Sequence, residues 1–285
     1  MFYKGVVLKI GQHLFFIDNK NLFIYNNCKR KDMGQFVNPD NELFKESLKG
    51  RIYVDKSLII EKLNKIHDTQ NSFICVSRPR RFGKTIATSL ITAFYSKGCD
   101  SRNLFSNLKI AKIPQWDKNL NKFNVIKFDV QGFLYLADDL KQLPEVITRS
   151  INEELIEQFP NAKINIEDKL AVSIYKAYKA TGEKFIFIMD EYDVLIRNNA
   201  EKKAVDNYLN FLNSLFKNGN IIPAFHMAYL TGILPIVRYK IQSRLNEFDE
   251  DSMVQARELS GFIGFTEDEV QGLCNKLFLE ALLPL

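Results

Sequence analysis

The chain has 285 residues, 46% hydrophobic and 26% charged, with a formal net charge of +5. This is an ordinary globular composition, long enough to bury a core without staples, and no apolar run is long enough to cross a membrane. The positive charge is too mild to separate a housekeeping enzyme from a nucleic-acid binder.

Residues 1 to 32 are rich in Lys, Asn, Phe, Ile and Tyr. "VVLKI", "HLFFID" and "NLFIY" read as short strands, with "DNKN" as a turn between the last two. The patch Val6 to Leu8 is broken by Lys9 and makes a poor signal peptide, so the expected location is cytoplasmic. From Met33 the character changes. "NPDNELFKESL" leads into a helix over Glu42 to Leu48, closed by Gly50. Asp55 or Ser57 caps a helix that runs to about His67. "SFICVS", residues 72 to 77, is a buried strand. A helix follows Gly83, with Ile86, Leu90 and Phe94 at helical spacing, and Gly98 ends it. "NVIKFDV" (124 to 130) is the next strand, followed by helices over Leu140 to Gln158 and Asp168 to Ala180. The run Phe185 to Met189 is a strand that ends in acids. Lys202 to Lys217 is an amphipathic helix, and Ala224 to Leu230 a further strand. Thr266 with Glu269 three residues later is a capping box that opens a last helix. Apolar strands alternating with helices imply a parallel sheet covered on both faces.

The cysteines, Cys28, Cys75, Cys99 and Cys274, form no C-x-x-C pair and read as reduced thiols. The histidines, His13, His67 and His226, lie far apart and read as surface or core residues rather than metal ligands.

Between the strand ending at Ser77 and the next helix lies "RPRRFGKT", residues 78 to 85. A strand, a tight basic turn ending in Gly-Lys-Thr and a helix make the P-loop arrangement, G-x-x-x-x-G-K-[ST]. Backbone N–H groups at the helix start face phosphate oxygens. Gly83 lets the backbone approach closely, where a Cβ would collide. Lys84 reaches the β- and γ-phosphates, and the Thr85 hydroxyl ligates Mg²⁺. Arg78 stands where the pattern has its first glycine, and Pro79 after it favours an extended entry. Arg80 and Arg81, with Phe82 between them and Gly83, complete the candidate binding segment. The two arginines read either as phosphate contacts, as solvated surface charge, or as contacts to nucleic acid.

"FIFIMDEYD" delivers Asp190 and Glu191 to the C-terminal end of a strand, where open parallel sheets place their ligands. Asp190 is the candidate Walker B acid that holds Mg²⁺ through water. Glu191 is positioned to polarise the attacking water. Asp193 either orients Arg197 or starts a helix. Thr231, at the tip of the next strand, is a candidate sensor of the γ-phosphate or an ordinary strand-end threonine. Arg238 and Arg244 are candidates for a charge-stabilising arginine. Glu201-Lys202-Lys203 fits a nuclease E-x-K but sits at a helix start without the preceding strand acid.

"YVDKS", "SRPRRFGKT", "FIMDEYD", "LTGILPI" and "GFTEDEV" occur in that order. Together they resemble the bacterial AAA-ATPase-like family, whose members carry YVDKT, RPRRFGKS and DEYD or DEWD. The resemblance runs over roughly residues 33 to 276. Its RPRRFGK motif accounts for Arg78, while Tyr239-Lys240 departs from the Tyr-Gly of relatives. Relatives often continue into a PD-(D/E)XK nuclease-like domain, and "LFLEALLPL" ends this chain soon after Cys274.

The resulting expectation is an α/β P-loop NTPase with a parallel, helix-covered central sheet, AAA/STAND-like. The tandem Asp190-Glu191 points to the branch with an extra strand between P-loop and Walker B. Residues 1–32 are expected as an extension outside the fold or a small hairpin, 33–260 as the ATPase domain, and 261–285 as a short, truncated helical region. The expected cofactors are ATP and Mg²⁺, with homo-oligomerisation an open option. The rival readings are a nucleotide-binding module with negligible hydrolysis, and a nucleic-acid-binding protein that uses the basic loop.

Overall fold

The computed structural model describes residues 33–236, 245 and 247–282, with side chains as far as residue 276. It also describes the backbone of three strands nearer the N-terminus, Val6–Ile10 (β1), His13–Asp18 (β2) and Asn21–Tyr25 (β3), which pair antiparallel in a sheet of their own.

The main sheet is built from Phe73–Ser77 (β4), Asn124–Asp129 (β5), Phe185–Asp190 (β6), Phe225–Gly232 (β7) and Asp249–Asp251 (β8). Its order is β5-β6-β7-β4-β8, and every pair is parallel. The strand that ends at Ser77 and the strand that ends at Asp190 are therefore not neighbours: β7 lies between them, as the tandem acids led us to expect. Every residue of β4 and of β6 is buried. That is why these strands read as unbroken apolar runs, since helices cover both faces of a parallel sheet.

The helices are Glu42–Leu48 (α1), Ile59–Ile66 (α2), Lys84–Tyr95 (α3), Arg102–Phe105 (α4), Val130–Leu134 (α5), Leu143–Gln158 (α6), Leu170–Thr181 (α7), Val194–Arg197 (α8), Lys202–Phe216 (α9) and Glu267–Leu282 (α10). β6 shows how they divide. Phe185, Phe187 and Met189 face a core shared with Ile147 and Leu155 of α6, Ile174 of α7 and Leu212 of α9. Ile186 and Ile188 face the opposite core, with Ile60 and Leu63 of α2 and Leu90 and Phe94 of α3. The period-two alternation of a strand thus sorts one apolar run between two cores. Among the described residues, no helix is long and apolar enough to cross a membrane.

Gly50 is not left-handed, and α2 starts after Leu58 with no side-chain cap from Asp55 or Ser57. Two further features differ from the sequence expectation. α3 ends at Tyr95, where Ser96 turns extended, so Gly98 is not its stop signal. Gly98 serves a close approach: a Cβ there would lie 1.9 Å from the backbone oxygen of Asn38. The other feature is β8, whose "DED" carries no apolar run. It joins the edge of β4 because its acids are paired. Asp251 Oδ1 accepts from Arg78 Nη2 at 2.6 Å, and Arg78 Nη1 donates to the Asp251 carbonyl at 2.9 Å. Glu250 accepts from Ser77 Oγ at 3.2 Å and from the Ile236 N–H at 2.9 Å.

The Arg78–Asp251 side chains are only 2% and 3% exposed. Removing one member of such a pair leaves a buried charge without compensation. We expect Arg78→Ala to lower stability by about 3–5 kcal/mol in urea denaturation. A loss under about 1 kcal/mol, the scale of an exposed pair, would show that the ion pair does not hold β8.

Candidate functional site

The loop between β4 and α3 opens at the C-terminal ends of the strands. Two of its residues are left-handed, Arg81 at φ 69° and Gly83 at φ 78°. Gly83 is needed for that conformation. No protein atom lies within 4 Å of an added Cβ, so it is the left-handed φ and not protein packing that calls for glycine here. Among the described residues, no backbone carbonyl accepts from the N–H groups of Arg80 to Ile86. The first pairing in this helix is from Ala87 N–H to the Gly83 carbonyl, at 3.0 Å. A row of unsatisfied donors at a helix start is what an anion requires.

Lys84 folds back over the loop. Its Nζ donates to the carbonyls of Arg78 at 3.0 Å and Pro79 at 3.1 Å. Burial pushes its pKa down, against the pull of Glu191, Asp190 and Asp193 in the other direction.

Asp190, 2% exposed, joins three elements. Its Oδ2 accepts from Thr85 Oγ1 at 2.8 Å, which ties β6 to α3. Its Oδ1 accepts from Thr231 Oγ1, which ties β6 to β7, and from the Glu191 N–H at 3.0 Å. Thr231 is fully buried, and its hydroxyl is turned to Asp190 rather than into a cavity.

Glu191 turns out of the strand at φ 55°, in the left-handed region. Its carboxylate pairs with Arg197 Nη2. Arg197 also lies 3.5 Å from Asp193, whose Oδ2 accepts from the N–H groups of Ile233 at 3.1 Å and Leu234 at 2.8 Å. Asp193 therefore meets Arg197 and stands at the N-cap of the short α8, but its carboxylate is spent on the loop after β7 and does not cap that helix.

Along this loop runs a cavity of about 590 Å³. It is lined by Arg80, Arg81, Gly83, Lys84, Thr85 and Glu191. Its lining also includes the apolar side chains of Ile52, Ile86, Phe262 and Phe265, with Tyr53 beside them. Tyr53 Oη is buried there without a hydrogen-bond partner, and burial, with Asp55 nearby, pushes its pKa well up. The wall is closed by a long-range tie. Lys56 Nζ donates to the Gly261 carbonyl at 2.8 Å and to Glu269 Oε1 at 2.7 Å. Glu269 is also the capping-box acid, accepting from the Thr266 N–H at 2.8 Å. Phe82 packs on Gly264, where an added Cβ would lie 2.9 Å from its ring.

The structure thus brings Lys84, Thr85, Asp190, Glu191 and Thr231 together, with Arg80, Arg81 and Phe82 along the cavity. Arg78 goes elsewhere: its guanidinium belongs to β8, and it meets the site only through its carbonyl. Arg238, Arg244 and the pair Tyr239-Lys240 lie outside the described residues. Gln131 and Phe262 had no signal in the sequence, since neither belongs to a local motif; Tyr53 and Phe265 lie within "YVDKS" and "GFTEDEV", but nothing in those motifs marked them as cavity residues. His67 and His226 are not apart. Both Nδ1 atoms meet Asp68 Oδ2, at 3.0 and 2.6 Å, while Lys184 takes Oδ1 at 2.7 Å. Asn119 Nδ2 donates to Asn64 Oδ1 at 3.0 Å and faces His67 Nε2 at 3.3 Å. Burial raises the Asp68 carboxyl, but the hydrogen bonds from Lys184, His226 and His67 outweigh it and hold it at about 2. This cluster satisfies itself at the N-terminal ends of the strands, opposite Asp190.

An all-parallel five-stranded sheet flanked by helices, with its basic turn at the strands' C-terminal ends, is a P-loop NTPase-like α/β fold. The comparisons narrow the class. The family model described as "Predicted AAA-ATPase" matches residues 42–242, and the chain belongs to this AAA-ATPase-like family. It is also similar to the "Uncharacterized protein in vnfD 5'region" of Azotobacter chroococcum mcd 1, 26% identical over 227 residues. That match takes in 78% of this chain and 41% of the relative, so the chain spans less than half of that protein's length.

Thr231→Val keeps the shape of the side chain and removes its hydroxyl. Asp190 Oδ1 would then keep only the Glu191 N–H. We expect a loss of about 1–3 kcal/mol in urea denaturation, the cost of a buried acceptor deprived of a partner. Unchanged stability would mean that the Thr231 hydroxyl does not support Asp190.

Proposed function

We propose that this chain binds ATP with Mg²⁺ and hydrolyses it, and that the nucleotide state drives a conformational change. The observation that carries this reading is the start of α3: unpaired N–H groups beside a buried lysine, with Thr85 hydrogen-bonded to the strand-end acid Asp190. In this reading the loop is a Walker A segment and Asp190 the Walker B acid.

The donor set suits the nucleotide. The N–H groups of residues 80 to 86 receive the β- and γ-phosphates, and Arg80 and Arg81 add positive charge at the rim. Lys84 exchanges the carbonyls of Arg78 and Pro79 for phosphate oxygens. Thr85 Oγ1 and Asp190 would hold Mg²⁺, which would supply charge that neutralises the phosphates. Glu191 takes the proton of the attacking water as its oxygen bonds to the γ-phosphorus, and the bond to the bridging oxygen breaks, leaving ADP and phosphate. The apolar side chains Ile52, Ile86, Phe262 and Phe265 of the cavity wall receive the base. Thr231 acts from behind, by holding Asp190.

Three substitutions should fail differently. Lys84→Ala removes charge that meets phosphate before and during reaction, so affinity and turnover both fall. Asp190→Asn loses Mg²⁺-dependent affinity. Glu191→Gln keeps ATP binding while single-turnover hydrolysis falls by about two to four orders of magnitude, the scale of a positioned base. Hydrolysis by Glu191→Gln at the parental rate would remove Glu191 as the base. ATP binding unaltered in all three variants would remove the phosphate site and bring forward nucleic-acid binding by the basic loop.

A further inference from the structure

Arg197 is an unusual residue in the acidic wall of this site. It closes α8, its side chain is 12% exposed, and it does not line the cavity. Nη2 pairs with Glu191, and Nη1 lies 3.5 Å from Asp193. Nε and Nη1 are nevertheless buried without a hydrogen-bond acceptor, and Gln131 Oε1 reaches Nη2 only at 3.4 Å. A buried guanidinium with unused donors is costly, so its own hydrogen bonding does not account for its place. Its charge does: it stands between two carboxylates, Glu191 and Asp193, two positions apart in sequence.

The two carboxylates are not held equally. Asp193 is fully buried and fixed to the loop after β7 by the N–H groups of Ile233 and Leu234. The Arg197 N–H donates to the Asp193 carbonyl at 2.9 Å, so the backbone of the arginine is tied to Asp193 itself. Glu191 accepts no other side-chain hydrogen bond among the described residues, and its backbone is left-handed at φ 55°. The direction of control therefore runs from the loop after β7, through Asp193 and Arg197, to Glu191.

We propose that Arg197 is a positioning residue for Glu191. It holds the carboxylate at the cavity wall in the orientation in which it receives the proton of the attacking water. This rests on the hydrolytic reading of Glu191 given above.

The test measures ATP affinity and single-turnover hydrolysis, with Mg²⁺, on the full chain. The variants are Arg197→Ala, Arg197→Lys, Glu191→Gln and the double Arg197→Ala/Glu191→Gln, each checked by thermal melting. We expect Arg197→Ala to slow hydrolysis by about 10- to 100-fold, the effect of a misplaced catalytic group, with ATP affinity unchanged. Arg197→Lys should recover part of the rate. In the Glu191→Gln background the loss of Arg197 should cost nothing more, because residues that act through one another are not additive. Should Arg197→Ala fail to fold, Arg197→Lys and Arg197→Gln carry the same comparison. The proposal is overturned if the Arg197 variants hydrolyse at the parental rate, if they lose ATP affinity instead, or if the slowing persists in full without Glu191. Hydrolysis that needs Glu191 but not Arg197 defeats this inference alone. A parent chain that does not hydrolyse ATP, or a Glu191→Gln variant at full rate, defeats the hydrolytic reading and this inference with it.

Discussion

The carboxylate of Asp190 is the point at which the sheet, the first helix after the basic loop and the site become one structure. Its two oxygens accept from Thr85 on α3, from Thr231 on β7 and from the N–H of Glu191. A buried carboxylate is tolerated only where it is fully hydrogen-bonded. Here that requirement fixes the start of α3 against the ends of β6 and β7. The position of Lys84, one residue before Thr85, and the turn that presents Glu191, one residue after Asp190, both follow from it.

Arg78 shows how the same loop departs from the common pattern without losing its shape. Where the pattern has a glycine, this chain has a long cation whose side chain is drawn away from the loop by Asp251. The left-handed conformations fall instead on Arg81 and Gly83. The exchange also recruits a short acidic strand, β8, to the sheet edge, and Asp251 in turn accepts from the Leu259 N–H at 3.0 Å. The segment that leads to Phe262, Gly264 and α10 is thereby tied to the loop. Lys56 makes a second tie from the other side, to Gly261 and Glu269. Phe262, Gly264 and Phe265, which line the cavity, thus follow a segment held by side chains far from them in sequence.

The parts of this arrangement legible in the sequence are those in which neighbours along the chain do the work. Phe185 to Asp190 announces a buried strand with an acid at its tip. Gly83-Lys84-Thr85 announces a turn into a helix, and Thr266 with Glu269 a helix start. The Lys84, Asp190 and Glu191 grouping was legible for the same reason, because parallel strands deliver their C-terminal ends to one edge. What was not legible depends on which distant partner a side chain finds. The destination of Arg78, 173 positions from Asp251, is of this kind. So are the tie from Lys56 to Glu269 and the meeting of His67 with His226 at Asp68. β8 has no apolar signal at all, because its stability comes from charge pairing and not from burial of large side chains. Gly98 read as a helix stop because a glycine's need for space looks the same in sequence as its need for positive φ.

The central claim is that the unpaired amides at the start of α3 receive phosphate. Hydrogen exchange of these amides, residues 80 to 86, tests it without any substitution. In the free chain they should exchange fast for the start of a helix, having no internal acceptor. With ATP and Mg²⁺ their exchange should slow by about an order of magnitude or more, since each protected amide then opens only when the ligand leaves. Amides that exchange at the same rate with and without saturating nucleotide would contradict the claim.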